Sequence, residues 1–215
     1  MTVIKVYAAM LSALIIGLGM VLTAPTAAHS LKKLEGTFLK RERYAQIVHD
    51  KAPAFTLKDA DGNKVALADF RGKVVVLNFL YTHCPDVCPL HSEKIASVQQ
   101  SVNSTPMKGL VKFLSITTDP VRDTPAVMKA HGPDHGLDPV NWMFLSSGVD
   151  QPAATRDLAG RFGFKFTLGK DGYQMHGIVT MLIDKSGILR AKYHGLKFGE
   201  TNMIIHINAL SNDTH

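Results

Sequence analysis

The sequence is poor in cysteine, holding only Cys84 and Cys88; it has no proline after Pro152 and no formally charged side chain between Lys5 and Lys32. It also lacks internal repeats, low-complexity tracts and arginine runs. Each absence excludes something. Two cysteines cannot build a multiply bridged scaffold, and none is needed, because 46% of the 215 residues are hydrophobic, enough for a full core. The missing repeats rule out a solenoid. A net charge of +6, spread along the chain with no basic stretch interleaved with aromatics, argues against nucleic acid as a partner. Such a surface suits an acidic protein or an anionic membrane face.

The uncharged N-terminus is the clearest organisational feature. Lys5 precedes an apolar run over residues 6–22, and small residues follow at Thr23, Ala24, Thr26, Ala27 and Ala28. Positive, then apolar, then small is the order of a secretory signal. The run is also nearly long enough to span a bilayer, so an uncleaved anchor stands beside that reading. Lys32, Lys33, Lys40, Arg41 and Arg43 crowd the far side and leave the positive-inside rule undecided. On either reading the rest of the chain is expected outside the cytoplasm. The expected organisation is a signal peptide or transmembrane anchor over 1–28, a linker over 29–51 that is charged and helical across 35–50, and one folded domain over 52–215.

Within that domain, residues 54–57 and 64–67 flank Asp61-Gly62-Asn63, a hairpin signal. Residues 73–81 are almost continuously apolar, as in a strand buried on both faces of a mostly parallel sheet. A helix is expected from Pro89 to about Ser101, a strand over 110–117, and a helix opened by Thr124-Pro125. A short strand over 142–145, a helix over about 151–162, a second hairpin over 178–194 and a closing helix over 200–210 complete the pattern. This order predicts an α/β, thioredoxin-like fold with a central mixed sheet and an N-terminal β-hairpin extension.

Cys84 and Cys88 fall between the buried strand and a helix N-terminus, where exposed amides and the helix dipole favour the thiolate. A disulfide closing so short a loop would contribute only about 2 kcal/mol, so a reactive or metal-binding pair is the stronger reading than a structural bridge. Three residues separate the cysteines, against two in a thioredoxin dithiol. Two thiolates and an imidazole form a soft, low-coordinate site suited to copper, with zinc the main competitor. Spacing alone nominates His91 as the imidazole, and His83 adjoins Cys84. Topology nominates His176. Cys84 and Asp119 follow the carboxyl ends of neighbouring parallel strands, where ligand sites of open sheets collect. A strand from Ile178 running antiparallel to them would bring residues 173–176 to that edge.

The segments Thr82-His83-Cys84-Pro85-Asp86-Val87-Cys88-Pro89 and Thr118-Asp119-Pro120-Val121-Arg122-Asp123-Thr124-Pro125, with His176 before Leu182-Ile183-Asp184, closely resemble the Sco/SenC family. The resemblance runs from about Ala52 to the C-terminus. It implies copper held by Cys84, Cys88 and His176, with Asp119 shaping the site from behind the ligands. It also implies delivery of copper to, or preparation of, the binuclear copper site of a respiratory cytochrome c oxidase, from an exported, periplasmic or membrane-anchored position. The expected partner is the oxidase subunit that bears copper, or another copper chaperone, and the expected state is a monomer. Asp119 reads equally as a turn former before Pro120, Asp123 as a helix-start residue, Arg122 as a solvated charge and Met175 as a packing residue.

The alternative is a thiol–disulfide oxidoreductase that reduces the partner's copper-site cysteines, with Cys84 and Cys88 as the redox-active pair. Thioredoxins carry a cis-proline facing the dithiol; this chain has no proline there, and His176 stands near its expected place. A peroxiredoxin-like peroxidase would place threonine three residues before the reactive cysteine, and that position is Tyr81.

Overall fold

The computed structural model describes residues 31–38, 41–164, 166–168 and 174–213, so the signal or anchor expected over 1–28 lies outside the described residues. In chain order they form α1 (Leu31–Phe38), β1 (Ala45–Lys51), β2 (Thr56–Lys58), β3 (Lys64–Ala66), a 3-10 turn (Leu67–Phe70), β4 (Val74–Leu80) and α2 (Val87–Asn103). Then come β5 (Val111–Thr117), α3 (Pro125–Asp134), β6 (Trp142–Leu145), α4 (Ala154–Arg161), β7 (Phe166–Leu168), β8 (Gln174–His176), β9 (Val179–Ile183), β10 (Ile188–His194) and α5 (Glu200–Asn212).

Strand β4 explains the architecture. All seven of its residues are buried, so both faces need cover, and the β-branched run Val74-Val75-Val76 suits a central strand. It lies in a six-stranded sheet of order β1-β10-β9-β4-β5-β6. β4, β5 and β6 are parallel, while β9 runs antiparallel to β4 and pairs Thr180 with Asn78. On one face Val76, Leu80 and Phe113 pack with Ile95 and Val98 of α2, Met128 of α3 and Met203 and Ile207 of α5. On the other, Leu77, Phe79, Leu114 and Ile116 pack with Leu57 and Val65 of the hairpin and Leu158 of α4. This is the mixed-sheet, thioredoxin-like arrangement that the element order predicts.

The turns form for local reasons. In the β2–β3 hairpin the Asp59 carboxylate accepts the amides of Asp61 and Asn63, each at 2.9 Å, and Gly62 takes the φ of +86° that the turn requires. In the β9–β10 hairpin a Cβ on Gly187 would sit 2.1 Å from the Arg71 guanidinium, and its φ is +79°. Thr124 caps α3 and Pro125 opens it, as the sequence predicts.

Residues 35–50 depart from expectation. They do not form a helical linker: α1 ends at Phe38, and β1 pairs antiparallel with β10, placing Ala45 opposite Tyr193. Most of the charges that suggest a solvated helix precede β1, and β1 itself is an edge strand none of whose side chains is fully buried. The sheet therefore begins at Ala45 rather than after residue 51.

Candidate metal site

The chain leaves β4 at Leu80 and turns at once, the Cys84 amide donating to the Tyr81 carbonyl at 3.3 Å. Helix α2 starts three residues later. Cys84 therefore precedes the helix, while Cys88 is its second residue, inside the first turn rather than on the loop. Both are free thiols, 8% and 3% exposed.

Their surroundings make them unequal. Burial is the largest influence on Cys84 and alone would raise its pKa. Hydrogen bonds from the Cys88 thiol and from the amides of Asp86, Cys88 and Val87 outweigh it and hold Cys84 below the ordinary thiol range. For Cys88 burial is again foremost, and the hydrogen bond with Cys84 and the negative charges of Cys84 and Asp123 push the same way, so its pKa rises. Of the two, Cys84 is the one whose thiolate the helix N-terminus favours. Such a pair can bind a soft cation or exchange disulfides.

The aspartate segment follows β5 at the same sheet edge. The Asp119 amide donates to the Thr117 hydroxyl at 2.9 Å, and its carbonyl accepts the amides of Arg122 and Asp123 at 3.2 and 3.0 Å. Its carboxylate pairs with Arg122, whose guanidinium lies 6.0 Å from the Tyr81 ring centroid. These contacts are those of a turn former, and Arg122 is a paired charge rather than a solvated one.

Asp123 is the residue that sequence reasoning undervalued. Its side chain has no exposure, and it accepts the Thr82 amide at 3.3 Å, the Thr82 hydroxyl at 2.5 Å and the Thr117 hydroxyl. It clamps the start of the cysteine loop to the end of β5. The available signal was the recurrence of hydroxyl residues at Thr82 and Thr117, where two strands end side by side.

The histidines separate clearly. His83 is half-exposed and turns toward Asp123, Nδ1 to carboxylate 3.7 Å. His91, the spacing candidate, is 1% exposed and meets the Thr180 hydroxyl at 2.7 Å. His176 lies in β8, opposite Phe166 of β7. Its side chain and that of Met175 are outside the described part. The topological premise does hold: β9 is antiparallel to β4, so the segment entering β9 arrives at the edge where the cysteine loop begins. Among the described residues no three histidine, cysteine or acidic side chains converge as a metal-holding group. A cleft of about 670 Å³ lined by Glu93, Gln100, Asn103, His135 and Asp138 contains neither cysteine and is not the site of this chemistry.

The family model described as SCO1/SenC matches residues 45–211. This chain belongs to the SCO1/SenC family. The family match begins with β1, in keeping with that strand's place in the sheet. The mitochondrial SCO2 homolog of Danio rerio is 32% identical over 143 residues, 66% of this chain and 51% of that protein. The match spans only part of these relatives: 30% of the Bos taurus mitochondrial SCO2 homolog and 51% of the Danio rerio one. Among solved structures, a SCO1/SenC family lipoprotein from Bacillus anthracis is 25% identical with a TM-score of 0.71, covering 78% of this chain and 98% of that one. Bradyrhizobium japonicum ScoI, solved with copper bound, is 29% identical with a TM-score of 0.61, covering 74% and 98%.

Proposed function

We propose that this SCO1/SenC family member is a copper metallochaperone for assembly of the binuclear copper site of a respiratory cytochrome c oxidase. Cys84 and Cys88 hold the copper as thiolates, and His176 completes the site from the segment entering β9. The observation that carries this reading is the free thiol pair, nearly buried, beside the amides of a helix N-terminus at that sheet edge. Soft sulfur donors with an imidazole suit copper. The copper-bound ScoI of Bradyrhizobium japonicum supports copper as the cargo. Transfer proceeds by ligand exchange: acceptor donors replace the thiolates and His176 one at a time, and no bond between the proteins persists. The oxidase subunit that bears copper, or another copper chaperone, is the partner that family membership suggests. The N-terminal pattern supports an activity outside the cytoplasm, periplasmic or anchored facing it, with residues 1–28 as signal or anchor and the domain expected over 52–215, extended by β1 from Ala45, as the copper-binding domain.

Copper titration of the full chain under reducing conditions tests this, beside Cys84→Ser, Cys88→Ser and His176→Ala. One equivalent bound, and weakened by all three changes, is expected. Binding that ignores His176 would remove it from the site.

The inequality of the two thiols favours a second activity on the same residues. The Cys84 thiolate attacks one sulfur of a partner disulfide, and the other sulfur leaves and takes up a proton. Cys88, losing its proton, then attacks Cys84, releasing the partner's second thiol and leaving a Cys84–Cys88 disulfide. Turnover on a peptide disulfide at thioredoxin-like rates would make this the primary role.

A further inference from the structure

Helix α2 carries Cys88 in its first turn and is fastened just below by two consecutive side chains. His91, three residues on, shares a helical face with Cys88. Its Nε2 lies 2.7 Å from the hydroxyl of Thr180 on β9, and the two residues are 1% and 0% exposed. Ser92 reaches elsewhere, its hydroxyl 2.9 Å from His131 Nε2 on α3. Thr180 in turn belongs to a polar row across the sheet. It pairs with Asn78 of β4, whose Oδ1 accepts from Ser115 of β5 at 2.9 Å. Around this bond α2 meets the sheet through apolar side chains such as Ile95 and Val98, and its next polar tie is two turns on, where Gln99 Nε2 donates to Asn141 Oδ1 at 2.6 Å. Apolar contacts tolerate sliding, whereas a buried hydrogen bond fixes distance and direction.

This bond joins particular elements. β4 leads into the cysteine loop, α2 holds Cys88, and Thr180 stands four residues after His176. We propose that the His91–Thr180 hydrogen bond is a strut that sets the separation between the cysteine-bearing helix and the strand continuing from His176, making both of them positioning residues for the copper site. The proposal rests on the reading of His176 as a ligand. His91 is engaged inward with Thr180, so it supports the site rather than ligating. A centre with few ligands depends on their separation, and supporting groups must hold them to within about 0.5 Å.

The test uses the full chain and copper(I) affinity measured by competition with a chromophoric chelator under reducing conditions, beside thermal unfolding. Thr180→Val keeps the shape and loses the hydroxyl; Thr180→Ser loses a methyl and keeps it. Ser92→Ala is the control, since it removes a comparable buried bond from the same helical turn without touching β9. Thr180→Val is expected to weaken copper binding by at least about tenfold, the scale on which outer supporting groups act. Thr180→Ser and Ser92→Ala are expected to stay within about twofold of wild type despite lowered unfolding temperatures, because they leave the strut in place. Equal weakening in all three variants, or none in Thr180→Val, would overturn the strut and leave a core hydrogen bond. Absence of copper binding by the wild-type chain would instead overturn the functional reading. In that case amide hydrogen exchange at residues 177–179 decides the strut: faster exchange in Thr180→Val than in Thr180→Ser supports it, and equal exchange overturns it.

Discussion

Asp123, beside the cysteine loop, and Glu35, where α1 meets the sheet, are both buried carboxylates, yet their partners differ in kind. Asp123 is bonded by neutral donors, namely two hydroxyls and an amide, with His83 3.7 Å away. Glu35 is met by cationic and titratable groups: Arg190 at 2.9 Å, His206 at 3.5 Å and His49 at 3.9 Å. Glu42 adds a second tie there, accepting the Gly199 amide at 2.9 Å and Asn202 Nδ2 at 2.8 Å. The difference teaches what each cluster is for. Near Glu35 charges cancel, and the cluster fastens the segment preceding β1 onto β10 and α5. Near Asp123 the bonded donors are neutral, and its charge adds to burial in raising the Cys88 pKa.

The comparison can be broken most severely at Glu35. Glu35→Leu leaves His206 buried without its carboxylate and Arg190 with Asp184 alone, 3.3 Å away, and chemical denaturation is expected to show a loss of about 3 kcal/mol, the low end for breaking a buried ion pair. Copper binding should not change. Asp123→Asn comes next. It preserves shape but puts an amide group where only acceptors fit, and should cost about 2 kcal/mol in the same assay while loosening the cysteine loop. A larger loss at Asp123 than at Glu35 would reverse the assignment of structural roles.

Acid sharpens the comparison. Burial, with the neighbouring charge of His135, lowers the His131 pKa to about 4, below its ordinary 6.5. The unfolded chain therefore takes up that proton first. His131 contributes fully above pH 6.5, and its contribution is lost as pH falls toward about 4, on the order of 3 kcal/mol in all. Burial alone would raise Glu35, but the hydrogen bond from His206 and the Arg190 charge win and hold it below its ordinary 4.5, so its contribution is lost only below that value. Stability of the wild type should begin to decline near pH 6.5, whereas in His131→Gln the decline between 6.5 and 4.5 should shrink to the smaller share of His194, which burial also holds below 6.5. Denaturation midpoints from pH 7 to 4 check this. The smallest effect is expected at Lys129→Ala, which removes an ion pair to Asp61 whose side chains are 57% and 64% exposed. Its stability should shift by less than about 0.5 kcal/mol, as burial rather than charge pairing sets the scale.

Much of the fold was legible because it depends on local pattern. The apolar run at 73–81, the Asp61-Gly62-Asn63 turn and the Thr124-Pro125 helix start each carry their own physical signature, and each appears where expected. β1 was not legible, since an edge strand buries too little to leave a period and gains its hydrogen bonds from β10, more than a hundred residues away. The cysteine pair could be read from composition and position. The burial of Asp123, and the inward engagement of His91, could not.

By itself the sequence determined the two thiols, their place between a buried strand and a helix start, and the order of elements, because these follow from neighbours in the chain. Only the tertiary structure decided which carboxylate holds the start of the cysteine loop and which histidine bonds across to β9. It also decided that the thiols differ in acidity. Those properties arise from burial and from hydrogen bonds between residues such as Thr82 and Asp123, or His91 and Thr180, far apart in the chain and adjacent only once the sheet has formed.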